Sequence, residues 1–197
     1  MSGARRFFSR LLLSAGLLLC GAALLHYARG WRAQAKASQS FGHARENPGI
    51  ARVASEGPAV ASYPFGEPLA RLKVPSAQMD YYVFAGSDAG TLEKGPGHVP
   101  GTAMPGEEDA RNNCVITAHR DTHFRRLGWL RKGHSISLQT PAGERAYRVV
   151  SREIVTPDTV RVLRPTEKPR LTLITCYPFN YVGPAPKRLV VVAEPTS

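Results

Sequence analysis

The stretches Leu171-Thr172-Leu173-Ile174-Thr175-Cys176 and Leu189-Val190-Val191-Val192-Ala193 are short apolar runs, separated by a loop rich in Pro, Asn and Gly. Runs of this length and branching, bounded by turn formers, read as β-strands. The second run does not alternate with polar residues, the pattern of a strand buried on both faces. Working outward, the same signature recurs at residues 69–74, 80–85, 114–118, 135–139 and 145–155. Alternation shows in Tyr147-Arg148-Val149-Val150 and in Ile136-Ser137-Leu138. The best helical stretch in this part of the chain is short, at residues 121–130. Seven or eight short strands in about 130 residues predict an all-β fold, a closed or nearly closed antiparallel barrel with short helices.

The N-terminus is of another kind. Arg5, Arg6 and Arg10 precede residues 11–25, fifteen uncharged residues of which eight are leucine. His26, Tyr27 and Ala28 lengthen the run to eighteen, about 27 Å of helix, just enough to cross a bilayer. Phe7 and Phe8 at one end, and Tyr27 and Trp31 at the other, stand where interfacial anchors belong. A cleaved leader needs small residues soon after the apolar run, and Ala33–Ala35 comes late for that. Lipidation of Cys20 lacks the small residue before it, because Leu19 stands there. An uncleaved signal-anchor is expected, with the N-terminus inside and the rest translocated; cleavage stays open. Cys20 is then a small apolar side chain in lipid. Residues 1–31 are therefore expected to be a cytoplasmic basic stub and transmembrane segment. Residues 32–66, rich in Ala, Ser, Gly and Pro, read as a linker or stalk, and 67–197 as the folded domain.

With 197 residues, 43% hydrophobic and 21% charged, the composition is that of one compact domain with an appendage, and excludes a disordered or collagen-like chain. Three cysteines without C-x-x-C spacing exclude a disulfide scaffold and a metal knuckle. The net charge is +11, yet the first 36 residues hold six basic residues and no acid. The high charge is thus partly a property of the membrane-flanking segment. With no basic helix or aromatic stacking pattern, no nucleic-acid partner is expected.

Cys176 ends one predicted strand, which would hold a thiol rigidly and leave it reachable. His119 ends another, followed by Arg120-Asp121, and Arg188 opens the last. Alone, each is an ordinary structural residue: a core cysteine, a loop histidine, a strand-edge arginine. A nucleophilic cysteine needs a neighbouring base or cation, since its unperturbed pKa is about 8.5.

Together these segments are more specific. Thr172-Leu173-Ile174-Thr175-Cys176, Ala118-His119-Arg120-Asp121-Thr122 and Arg188-Leu189-Val190-Val191 resemble the sortase family of cysteine transpeptidases. So do Glu93-Lys94-Gly95-Pro96-Gly97-His98, Pro105-Gly106-Glu107 with Asn113, and the stretch from Pro157-Asp158 to Val162-Leu163. The resemblance covers residues 68–194, in the family's order of His, Cys, Arg. The stretches at residues 94–98 and 119–122 look most like the Gram-negative (proteobacterial) branch. Ala118 departs from the Gly many relatives carry before the His, a small-for-small change.

The resemblance implies a membrane-anchored barrel that recognises an LPXTG-like signal near the C-terminus of a substrate protein. Cys176 would attack the Thr–Gly carbonyl, His119 would serve as general acid and then base, and Arg188 would steady the carbonyl oxygen or bind the signal. Thr175, Ala118, Tyr177, Pro178, Phe179 and His98 are expected to line the substrate, and Asp121 to orient His119. The implied partners are a protein substrate, an amine acceptor and the inner membrane, with the catalytic domain on the periplasmic side.

Cys114 reads as strand core. A Cys114–Cys176 disulfide would consume the nucleophile. His123 reads as a surface or site-flanking residue, and His43 and His134 lack ligand spacing. Glu107-Glu108-Asp109 lacks the alternation of a dedicated calcium loop; no metal or cofactor is expected. Two rivals stay open: an envelope cysteine hydrolase, and a non-catalytic envelope binding domain.

Overall fold

A computed structural model of the chain describes residues 2–46, 63–106 and 113–196. It begins with one continuous helix, α1 (Ser2–Glu46), of 45 residues, about 68 Å long at the usual rise. Its leucines between residues 11 and 25 are exposed. Among the described residues α1 is the one helix long and apolar enough to cross a membrane. The stretch expected to begin the linker is helical as far as Glu46. Its Ala37 and Phe41 are buried. Alanine, glutamine and lysine, which dominate residues 33–37, are sound helix formers, and tertiary packing stabilises the helix further. The remainder of that stretch, 47–62, lies outside the described residues, as does the Glu107-Glu108-Asp109 cluster.

Eight strands follow: β1 (Pro68–Val74), β2 (Met79–Ala85), β3 (Gly97–His98), β4 (Asn113–Thr117), β5 (Ser135–Thr140), β6 (Gly143–Val155), β7 (Arg170–Tyr177) and β8 (Lys187–Pro195). A short helix, α2 (Ala89–Lys94), joins β2 to β3; Asp88 caps it, accepting from the Thr91 N–H at 3.0 Å. The strands close into a barrel in the order β1-β2-β3-β4-β7-β8-β6-β5. The closure and the all-β class agree with the expectation; the antiparallel arrangement does not hold throughout. β2 pairs with β3, and β4 with β7, in parallel, so the barrel is mixed. The reason lies in connections: the chain leaves β4, builds the β5–β6 hairpin, and returns to lie beside β4 in the same direction. The expected helix at 121–130 is a 3-10 turn, Arg125–Trp129.

Leu72, Val74, Ile116, Leu138, Leu173, Leu189 and Val191 fill the barrel, each almost fully buried. Val190 and Val192 are buried as well, so β8 is covered on both faces as its unbroken apolar run predicts. β6 is the longest strand. Its first half pairs with β5 and its second with β8, with a register shift between Val149 and Ser151 that bends it from one partner to the other. In the β6–β7 connection, the carbonyls of Val162 and Arg164 accept from Asn113 Nδ2 at 2.9 and 3.1 Å. Asn113 Oδ1 accepts from Thr172 Oγ1 at 2.6 Å, so one buried amide ties that connection to β4 and β7.

Candidate active site

Cys176 and Arg188 are partners in the antiparallel β7–β8 ladder. Residues directly opposite one another share a face, with Cβ atoms about 4.5–5.5 Å apart. On the other side of β7 lies β4, whose last residue, Thr117, is in register with Ile174. His119 is two residues beyond Thr117, and Cys176 two beyond Ile174. The thiol, the imidazole and the guanidinium therefore belong to three adjacent strands and leave the barrel at one end, its mouth. Cys176 and Arg188 are half-buried and His119 is exposed.

The β4 end is fastened to β7. Thr117 Oγ1 and the Ala118 N–H both donate to the Ile174 carbonyl, at 3.1 and 3.3 Å. Thr175 Oγ1 donates to the Ala118 carbonyl at 2.7 Å. Thr175 and Ala118 are themselves buried. They hold the backbone of His119 beside that of Cys176, and their side chains do not face the mouth as substrate-lining groups would. Arg188 Nη1 donates to the carbonyls of Ala185 and Lys187, at 3.1 and 2.9 Å, which folds the guanidinium against its own loop.

The remaining expected residues divide. Tyr177 and Phe179 are half-buried, stack edge to face at 6.0 Å and pack on the barrel core; Pro178 lies between them after a cis peptide bond. Phe179 crosses closely over the next loop: a Cβ on Gly128 would stand 2.7 Å from its ring. His98 does not join the mouth. It is buried in β3, with Nε2 at 2.8 Å from the Ala103 carbonyl and 3.1 Å from Thr102 Oγ1, and it shapes its own turn. Asp121 is exposed, and among the described residues it makes no hydrogen bond to His119. Cys114 is buried core, paired with Leu171 at the far end of β7 from Cys176. A bridge between the two cysteines is ruled out by the length of strand between them.

Two residues beyond the expected site residues matter here. Arg120 Nη2 donates to the carbonyls of Tyr181 and Gly183, at 2.7 and 2.9 Å, and the guanidinium lies 6.0 Å from the Tyr181 ring. It thus clamps the β7–β8 loop to the residue next to His119. His123 packs edge to face on Tyr81 with centroids 5.2 Å apart. Burial, and then the neighbouring charge of His119, pushes the His123 imidazole down to about 4. It is therefore neutral near pH 7, while His119 remains the exposed histidine of the mouth. A basic or imidazole side chain directly following or four residues after a candidate catalytic histidine was the available signal. Among the described residues no group of three His, Cys, Asp or Glu side chains is placed to hold a metal.

A family model described as a sortase domain matches residues 72–196. The chain is 40% identical to a sortase D of Bacillus subtilis (strain 168) over 124 residues, 62% of this chain and 61% of that relative's length. Among solved structures, a Clostridium perfringens sortase D5 transpeptidase superposes with a TM-score of 0.71 over 84% of this chain and 99% of that one. At 21% identity that likeness speaks for the fold. Sortase C-1 from Actinomyces oris superposes with a TM-score of 0.61, at 29% identity, over 66% of this chain and 76% of that one. The barrel, its mouth and the matched residues lead to one conclusion: the chain belongs to the sortase family.

Proposed function

We propose that this protein is a membrane-anchored cysteine transpeptidase that cleaves an LPXTG-like C-terminal sorting signal between Thr and Gly and transfers the acyl group to an amine. The observation that carries the reading is the β7–β8 register that sets Cys176 opposite Arg188, with His119 ending the strand on the other side of β7.

The Cys176 thiolate adds to the scissile carbonyl carbon, and Arg188 donates to the oxygen as negative charge develops there. Expelling the amine requires a proton on nitrogen, which His119 supplies as imidazolium; the C–N bond breaks and a thioester remains. The incoming amine attacks that thioester, His119 takes back a proton, and the C–S bond breaks. An imidazole side chain can both give and take a proton, as the two directions require. Water must be kept from the thioester until the amine arrives.

Residues 94–98 and 119–122 support the finer reading of a Gram-negative (proteobacterial) enzyme, anchored in the inner membrane with its mouth on the periplasmic side. Membrane fractionation of the source cells, with protease accessibility of the barrel, tests that placement. The activity is tested with an LPXTG-type peptide and an amine acceptor. Ligated product is expected; free acid alone means a hydrolase. Cys176→Ala is expected to lower turnover about 1,000-fold or more with the fold intact, whereas unchanged function in that variant means a binding domain.

A further inference from the structure

The turn that carries His119 is closed by the Phe124 N–H, which donates to the His119 carbonyl at 3.0 Å. Its side chains reach different neighbours. Arg120 goes to the β7–β8 loop, through the Tyr181 and Gly183 carbonyls, and His123 goes to β2, against the Tyr81 ring. Asp121, between them, is exposed. Among the described residues its side chain has no hydrogen-bond or ion-pair partner. Other carboxylates of the barrel are engaged: Asp80 with Arg71, Glu153 with Arg161, and Asp88 as the cap of α2. The Asp121 Cα, two residues along the chain, lies at most about 7 Å from that of His119. An unpaired carboxylate thus borders an imidazole that it does not orient.

The charges around the thiol are divided between two sides. On the β7–β8 side stand Arg188, its neighbour Lys187 and, clamped to the loop, Arg120. These cations suit a carbonyl oxygen that gains negative charge. On the β4 side, the residues just past His119 carry one negative charge, on Asp121, and no positive one. Burial keeps the His123 imidazole neutral and, likewise, the Tyr81 hydroxyl protonated. The next cations, Arg125 and Arg126, follow Phe124, whose side chain is buried in the core. Arg126, which acts on the Tyr81 hydroxyl, is itself bound to Gln78 Oε1 at 2.8 Å and lies on the Trp129 ring. The two amines of the reaction differ in charge. The departing one is part of an uncharged amide until it leaves. An incoming alkyl amine is an ammonium near neutral pH, and it enters a site that already holds three cations. It must also come within reach of His119, the group that takes its proton. The carboxylate beside that imidazole offsets the repulsion at the place where the amine has to stand.

We infer that Asp121 is the residue that selects the acceptor: its carboxylate holds the incoming amine as an ammonium beside His119, so that cationic primary amines are favoured over neutral nucleophiles. The inference rests on the transpeptidase reading. In the step it serves, the ammonium gives one proton to water and the neutral amine attacks the thioester carbon. His119 takes the second proton, and the C–N bond forms as the C–S bond breaks to leave the Cys176 thiolate. The test uses the full chain, an LPXTG-type peptide and two acceptors at pH 7. Glycinamide is chiefly an ammonium there, and hydroxylamine is uncharged. Asp121→Asn is expected to raise KM for glycinamide about two- to fivefold, the range that an exposed ion pair spans, with KM for hydroxylamine unchanged. Asp121→Glu should restore most of the glycinamide KM, and added salt should shrink the gap between wild type and the Asn variant. An equal change for both amines, or no change for either, overturns the inference. So does slower thioester formation by Asp121→Asn in the first turnover, followed by intact mass, since that marks a residue that orients His119. A wild type that forms no thioester overturns the transpeptidase reading and the inference with it, whereas failure of the inference alone leaves thioester formation standing.

Discussion

Arg120 spans the gap between the two loops that present His119 and Arg188, giving two charge-assisted hydrogen bonds to the Tyr181 and Gly183 carbonyls. Both bonds come from Nη2 at the tip of the side chain, and the guanidinium also lies on the Tyr181 ring, a combination that an ammonium reproduces poorly. Arg120→Lys is therefore expected to lower kcat about 10- to 100-fold through misplacement of the loop. The alkylation rate of Cys176 by iodoacetamide should be unchanged, which separates positioning from loss of the nucleophile. His123 has a different consequence. Its folded imidazole titrates at about 4, below the ordinary value near 6.5. Between those values the unfolded chain binds the extra proton, so stability is complete above about pH 6.5 and is lost as pH falls toward 4. The loss amounts to about 3 kcal/mol. Thermal unfolding followed from pH 7 to 4 should show that slope, and His123→Phe, which keeps an aromatic ring against Tyr81, should flatten it.

Among the elements, the connection between β6 and β7 is tied to the barrel by the buried side chain of Asn113. Asn113→Ala would leave the Val162 and Arg164 carbonyls and the Thr172 hydroxyl without their partner. A cost of about 1–3 kcal/mol is expected for such orphaned polar groups, measurable by urea unfolding. Exchange of the amides near the 3-10 turn Val160–Leu163 should quicken more than that of β5. Inside the barrel the currency is volume. Leu138, fully buried between β1 and β6, should lose about 2–5 kcal/mol as Leu138→Ala, with the spread set by how far the cavity collapses. β7 and β8 were legible in the sequence because both are continuous apolar runs. β3 was not: two residues, Gly97 and His98, carry no periodicity, and the strand exists because β2 and β4 bracket it.

At the scale of the whole molecule, the helix and the barrel are one body rather than a domain on a tether. Gln34→Ala removes the partner of the Tyr82 N–H and of two carbonyls, so the melting temperature of the detergent-solubilised chain should fall. A loss of about 1–2 kcal/mol corresponds to those backbone groups turning to water. Small and polar residues dominate 32–66, which is why the sequence reads there as a linker, whereas its first part, to Glu46, is helical. The few residues that dock it, Gln34, Ala37 and Phe41, lie three and four apart, on one helical face.

The chain by itself determined the elements whose information is local: the apolar span, the short β-branched strands, and a cysteine, a histidine and an arginine each placed at a strand end. Neighbour relations were decided only in three dimensions. Which strands pair, and whether in parallel, depends on contacts between residues far apart in sequence, which no periodicity encodes. The same holds for the amide of Gln34 completing β2, for Arg120 clasping the β7–β8 loop, and for burial turning His123 into a neutral imidazole beside His119. Hydrogen bonds and desolvation act on the groups that packing brings together, and packing is a property of the closed barrel rather than of any one stretch of the chain.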